Sequence, residues 1–256
     1  MSRVIVIASG KGGVGKTTIA ANLGICLGQA ERKTALVDLD LGLRNIDVTL
    51  GLETVVLNHL GDYFEERMPL EEVVTTDERY PGLALLAAPQ NMDPADLKEE
   101  QLEKLVQELR ASYDVILIDA PAGVGPVFTA AIKLADEGVV VTTPTVSAVR
   151  DADKVLHLME AAGVQYRYVI VNMLRQKLMK NGIMMSPEDI REVLGTPLLG
   201  VIPEDETAVV CCNTGKPLVT ARCMAGSALR RISQRVRGTA LSLPPLTSRR
   251  RGLFHA

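Results

Sequence analysis

Apolar and β-branched residues fall in short continuous runs along this chain, separated by stretches in which they recur every three or four positions. After Arg3, the run Val4-Ile5-Val6-Ile7-Ala8 has no polar interruption and predicts a strand buried on both faces, as in a parallel sheet. Further runs predict strands at Lys33–Val37, Gly82–Ala87 (ended by Pro89), Asp114–Asp119, Gly138–Thr142, Tyr168–Asn172 and Leu198–Ile202. Between them the spacing is helical. Ile19, Leu23 and Leu27 share a face from Thr17 to about Gln29, and Leu102, Leu105, Val106 and Leu109 do so within Lys98–Ser112. After Pro144, a helix with Ala152, Val155, Leu156 and Met159 inward leaves Asp151, Asp153 and Lys154 outward. Ser186-Pro187-Glu188-Asp189 has the cap, N1 proline and acidic first turn of a helix start. The last core helix, about Ser227 to Ala240, buries Leu229, Ile232 and Val236. Asn58–Thr76 reads as helical and irregular and carries no chemistry.

Composition sharpens this picture in two places. The 256 residues suit one sizeable domain, and 47 % apolar with only 3 % aromatic content and no Trp means an aliphatic core. Cys26, Cys211, Cys212 and Cys223 show no C-x-x-C spacing, so neither a zinc site nor a disulfide framework is expected. No stretch approaches the ~20 apolar residues of a membrane span, and the N-terminal run leads straight into a glycine loop rather than a cleavage site. The expectation is a cytosolic or peripheral protein. The net charge of −3 hides an asymmetry: nine basic and no acidic residues lie from Thr207 onward, against 19 basic and 31 acidic before it. A basic end on an acidic body points to a polyanionic partner, a membrane surface or nucleic acid.

The chemistry centres on Gly10-Lys11-Gly12-Gly13-Val14-Gly15-Lys16-Thr17-Thr18, which follows the first strand and opens the first helix. That context makes Gly-x-x-x-x-Gly-Lys-Thr a phosphate-binding loop. Its backbone N–H groups curl around phosphate oxygens at a helix N-terminus; Lys16 reaches the β- and γ-phosphates and the Thr17 hydroxyl holds Mg²⁺. Lys33–Val37 delivers the run Asp38-Leu39-Asp40-Leu41-Gly42-Leu43-Arg44-Asn45-Ile46-Asp47 to the carboxyl edge of the sheet, where ligands of open α/β folds gather. One carboxylate there can orient the attacking water and another can hold Mg²⁺. Asp119, at the end of an apolar strand, has the form of a Walker B residue that supports the Mg²⁺ shell.

Lys11 occupies a position that the general motif leaves free, and this spelling resembles the deviant Walker A loop of the MinD/ParA ATPase family. The run from Asp38 to Asp47 is similar to that family's switch I, and Asp119-Ala120-Pro121-Ala122-Gly123 to its switch II. The resemblance implies a doubly wound, mainly parallel α/β sheet with helices on both faces, and an ATPase that uses ATP and Mg²⁺. It further implies that Lys11 acts across a nucleotide-sandwiching homodimer, that Asp40 positions water, that Asp38 supports Mg²⁺, and that Gly123 offers its N–H to the γ-phosphate. Asn172, Arg175 and Pro203 become base-pocket residues by the same resemblance.

Pro144–Lys154 resembles a family segment implicated in docking partners, which makes Arg150, Asp151 and Asp153 candidate contacts for a MinC-like division inhibitor and a MinE-like regulator; spacing alone leaves them a solvated face. Residues 1–243 are then the ATPase domain and 244–256 a membrane-targeting tail, in which Arg249, Arg250, Arg251, Leu253 and Phe254 meet an anionic surface. As a helix the tail has poor amphipathicity, and Gly252 weakens it further. The implied function is an ATPase that helps place the bacterial division septum, cytoplasmic and bound at the inner face of the cell membrane in the ATP state, with nucleic acid not its partner. A ParA-like DNA-segregation ATPase and an FlhG-like flagellar-number ATPase are the alternatives; an iron–sulfur carrier would need the paired cysteines this chain does not offer.

Overall fold

The computed structural model describes residues 2–30, 32–42 and 44–243. Eight strands form one sheet: β1 (Arg3–Ala8), β2 (Thr34–Asp38), β3 (Thr75–Thr76), β4 (Leu83–Leu86), β5 (Val115–Asp119), β6 (Glu137–Thr142), β7 (Tyr166–Leu174) and β8 (Leu198–Pro203). Their spatial order is β3-β4-β2-β5-β1-β6-β7-β8, and all pairs are parallel except β3–β4. β1 is central. The chain winds outward from it to β2 and β4, returns through β5, and then builds β6, β7 and β8 on the other side, which is the doubly wound arrangement expected.

Residues alternate across β1 as the pleat requires. Val4, Val6 and Ala8 join one core with Leu102, Leu105 and Leu109 of α5 (Glu99–Ser112), Phe128 of α6 (Pro126–Lys133) and Val155 and Met159 of α7 (Val146–Ala161). Ile5 and Ile7 join the other, with α1 (Lys16–Gly28) and α11 (Met224–Val236). α1 is buried on nearly every side, so even its Asn22 is internal; that side chain donates to Thr18 O at 2.7 Å and accepts from Val219 N at 2.9 Å. Short helices complete the chain: α2 (Ile46–Leu50), α3 (Leu60–Phe64), α4 (Leu70–Val73), α8 (Gln176–Lys180), α9 (Pro187–Leu194) and α10 (Thr207–Asn213).

The differences from expectation have local causes. The irregular Asn58–Thr76 segment resolves into α3, α4 and β3, a two-residue edge strand too short to give a pattern. The last helix starts three residues early, at Met224, because the Cys223 sulfur accepts from Gly226 N and acts as cap; it ends at Val236, just before Arg237 and Gly238, the latter at φ 89°. β7 runs on to Leu174 through Met173, whose φ is +56°. The start of α9 is as read: Ser186 Oγ accepts from Asp189 N, and the Asp189 side chain accepts from Ser186 N. Among the described residues no helix is long and apolar enough to cross a membrane. The tail 244–256, with Arg249, Arg250, Arg251, Leu253 and Phe254, lies outside them.

Candidate active site

β1 and α1 hold the loop 10–18 at the carboxyl edge of the sheet, beside the ends of β2 and β5. Two of its glycines are required by their surroundings. A Cβ on Gly10 would meet the Asp151 carbonyl oxygen at 2.4 Å, so the first turns of α7 press on the loop. Gly15 sits at φ 86°, in the left-handed region, and a Cβ there would meet Asn172 Nδ2, also at 2.4 Å. Asn172 is buried and donates to Val14 O at 2.8 Å, clamping the loop from β7. Lys11, Gly12 and Gly13 are exposed, and the first N–H groups of α1 open toward the loop's concave side.

The charged groups gather below the loop. Lys16 Nζ donates to Asp119 Oδ1 at 2.7 Å, with the two side chains only 6 % and 0 % exposed. Asp38 lies beside Asp119 in strand register. Its Oδ1 accepts from Asp40 N at 3.0 Å and its Oδ2 from Ile46 N at 3.5 Å. Burial, reinforced by the neighbouring Asp119 charge, pushes the Asp38 carboxyl up to about 7. Burial also raises Asp119, against the opposing pull of Lys16 and of the nearby Thr17 hydroxyl. Asp119 Oδ2 is buried with no protein partner, as is Ser9 Oγ.

Two buried carboxylates facing one ammonium leave a site short of positive charge, with one carboxylate oxygen unsatisfied. This donor set fits a hard divalent cation, which takes oxygen ligands from one or two carboxylates, a hydroxyl and phosphate. Thr17, Asp38 and Asp119 are the residues that would hold Mg²⁺.

The switch segments flank this cluster. Asp40 is partly buried, and its backbone N–H is held by Asp38. Arg44, at φ 45°, pairs with the buried Asp47 at 2.6 Å and donates to Val56 O, so it braces its own segment rather than facing the loop. Gly123 N donates to Ser9 O at 3.0 Å, so the N–H expected to meet a γ-phosphate is engaged with the end of β1 in this conformation. On α7, Arg150 is exposed, Asp151 faces Lys154 at 3.5 Å, and Asp153 lies beside His157.

Next to the loop is a cavity of about 340 Å³, lined mainly by apolar groups including Ile19, Met173, Ile202, Pro203 and Leu229, with Asn172 among its polar walls. Its size and lining suit a purine base. Arg175 is not itself among the lining residues, but its guanidinium pairs with Glu204, which is. Sequence reasoning missed the opposite wall, Val209 and Cys212 of α10. Its one signal was Asp205, which accepts from Thr207 N at 3.1 Å at that helix start and from Ala225 N at 3.1 Å.

A glycine loop between a central parallel strand and a buried helix, with a Lys16–Asp119 pair beneath it, defines a P-loop NTPase. The model of a ParA family, described as "NUBPL iron-transfer P-loop NTPase", matches residues 1–237. A MinD relative from Guillardia theta is 46 % identical over 254 residues, covering 98 % of this chain and 94 % of that one. Among solved structures, MinD in the MinC:MinD cell division complex of Aquifex aeolicus superposes with a TM-score of 0.88 at 39 % identity, covering 94 % of this chain and 98 % of that one. MinD of Pyrococcus horikoshii complexed with Mg-ADP gives 0.82 at 31 % identity, with 92 % and 96 % covered. This chain belongs to the MinD family of septum site-determining proteins.

Proposed function

We propose that this chain hydrolyses ATP with Mg²⁺, dimerises around the nucleotide, binds the membrane in that state through residues 244–256, and recruits a MinC-like division inhibitor so that the septum is correctly placed. The observation that carries the reading is the Lys16–Asp119–Asp38 cluster under an open phosphate loop. It holds a buried ammonium and two carboxylates of raised proton affinity where triphosphate and Mg²⁺ would meet. Held by Thr17, Asp38 and Asp119, Mg²⁺ would supply charge neutralisation to the triphosphate. Lys16, released from Asp119, takes negative charge at the β–γ bridge as it breaks; the Asp40 carboxylate orients the attacking water in line; Lys11 of a second copy adds a cation to the same oxygens. Gly123 would exchange its Ser9 carbonyl for the γ-phosphate, making that hydrogen bond the element that reports nucleotide state.

Arg150, Asp151 and Asp153 form the partner face of α7, and the contact of Asp151 with Gly10 gives that face a route to the loop. In the tail, three arginines contribute on the order of 3 kcal/mol at an anionic surface, and two tails on one dimer gain about 10²–10⁴ in avidity. A DNA-binding role for the C-terminal arginines is less well supported, because the relatives this chain matches at 46 % and 41 % identity are septum site-determining proteins. Sedimentation with anionic liposomes in ATP and in ADP, for the full chain and one ending at Leu246, tests the membrane switch; equal pelleting in both nucleotides sinks it. For the chemistry, Asp40→Asn is expected to keep ATP binding and lower turnover by about 100-fold or more in a phosphate-release assay.

A further inference from the structure

At the other end of the sheet from the phosphate loop, the amino-terminal ends of β1, β6, β7 and β8 and the segment after α11 enclose a second cavity, of about 450 Å³. Its floor is apolar, from Ile5, Val139, Leu199 and Val236. Its rim carries Arg3, Arg235 and Arg237, against Glu137 as the only acidic residue lining it among the described residues. Tyr166, 52 % exposed, stands at the mouth, and Leu241 closes one side. Arg3 is paired with Glu137, and Arg235 is bonded to the carbonyls of Leu199, Leu241 and Ser242. Arg237 is exposed and makes no ion pair among the described residues.

An apolar hollow with a cationic rim and a half-exposed tyrosine is matched to an anionic amphiphile: headgroup on the arginine, first methylenes against the floor, phenol at the level between them. What leaves the rim agrees. Arg235 pins Leu241 and Ser242 at the cavity edge, so the chain leaves the described residues from this end of the sheet, and Arg249-Arg250-Arg251 follow seven to nine residues after Ser242 in sequence. We propose that this cavity is a second membrane contact, a seat for one anionic phospholipid that holds the amino-terminal edge of the sheet against the bilayer beside the tail. The inference rests on the membrane reading above. Charge selects the lipid over the chain's own tail, since three consecutive arginines would have to enter beside Arg3, Arg235 and Arg237.

The chain contains no Trp, so Tyr166→Trp in the full-length protein places a single indole at the cavity mouth. With ATP and vesicles of phosphatidylcholine containing phosphatidylglycerol brominated on its acyl chains, the expected result is a blue-shifted, quenched indole. Arg237→Gln should lower partition onto these vesicles about fivefold, the effect of one charge at the surface, with lipid-free ATP turnover unchanged. If the protein sediments with vesicles but the indole is neither shifted nor quenched, the membrane reading stands and the cavity proposal falls. If Leu253→Ser with Phe254→Ser changes the indole emission in the absence of lipid, the tail is the occupant and the proposal is overturned. If nothing sediments in either nucleotide, the membrane reading itself fails. The cavity is then judged by titrating soluble short-chain phosphatidylglycerol, where a saturable indole shift supports it and none overturns it.

Discussion

Asp38 is the residue whose environment departs most usefully from the ordinary. Its folded carboxyl sits at about 7 against a model-peptide value of 3.8, because burial disfavours the charge and Asp119 repels it. Between those values the folded chain holds a proton that the unfolded chain has lost, so this group's contribution to stability is present at low pH and fades as pH rises through about 7. Asp38→Asn should therefore stabilise the nucleotide-free protein relative to the parent increasingly from about pH 4 to pH 7, by at most about 1.4 kcal/mol per pH unit, and level off above that, in urea unfolding. The same variant should lose Mg²⁺-dependent turnover. Mg-nucleotide binding to the parent near pH 6 should release protons, measurable as a buffer-dependent heat. A parent and variant with parallel pH–stability curves would refute the raised carboxyl. The sequence placed Asp38 and Asp119 at strand ends, each beside the loop. It could not place them beside one another, because that depends on β5 entering the sheet between β1 and β2, a long-range choice no local pattern encodes.

At the scale of elements, the phosphate loop is held from two sides by parts of the chain far from it in sequence. β7 supplies Asn172, whose amide occupies the Val14 carbonyl, and α7 supplies the Asp151 backbone against Gly10. Asn172 was read as a base-pocket residue; it does line the apolar cavity, but its donor is turned to the loop. Asn172→Ala should leave a buried carbonyl unpaired, costing about 1–2 kcal/mol of stability, and raise KM for ATP about tenfold through a looser loop. Thermal unfolding and steady-state kinetics check both; an unchanged KM would remove the clamp from the account. Most strands and long helices were legible because buried runs and 3.6-residue spacing are local. The short helices α8 and α10 were not, since each is too short to show a helical period, and neither was the pairing of Arg175 with Glu204, which joins the end of β7 to the end of β8.

For the whole molecule, the nucleotide site at one edge of the sheet is open on the side where Lys11 stands exposed. A cation supplied by a second copy would complete it. Lys11→Ala should keep monomeric nucleotide binding, abolish ATP-dependent dimerisation in analytical ultracentrifugation, and lower turnover by on the order of 10³-fold, as loss of a trans cation does elsewhere. A variant still dimeric and active would show that the loop needs no second copy. The glycine spelling of the loop suggests a second copy only through resemblance, because a single chain's pattern of apolar positions says nothing of what lies across an exposed lysine.

Arg235 has a mechanical side. Its guanidinium binds the carbonyls of Leu241 and Ser242 on the departing chain and of Leu199 on β8. If the tail tethers the chain as proposed, tension on it would be shared with the edge of the sheet instead of falling on the last turn of α11 alone. The phosphate loop, at the far end of the same strands, would lie off that line of force, so the tethered molecule would keep its grip on nucleotide.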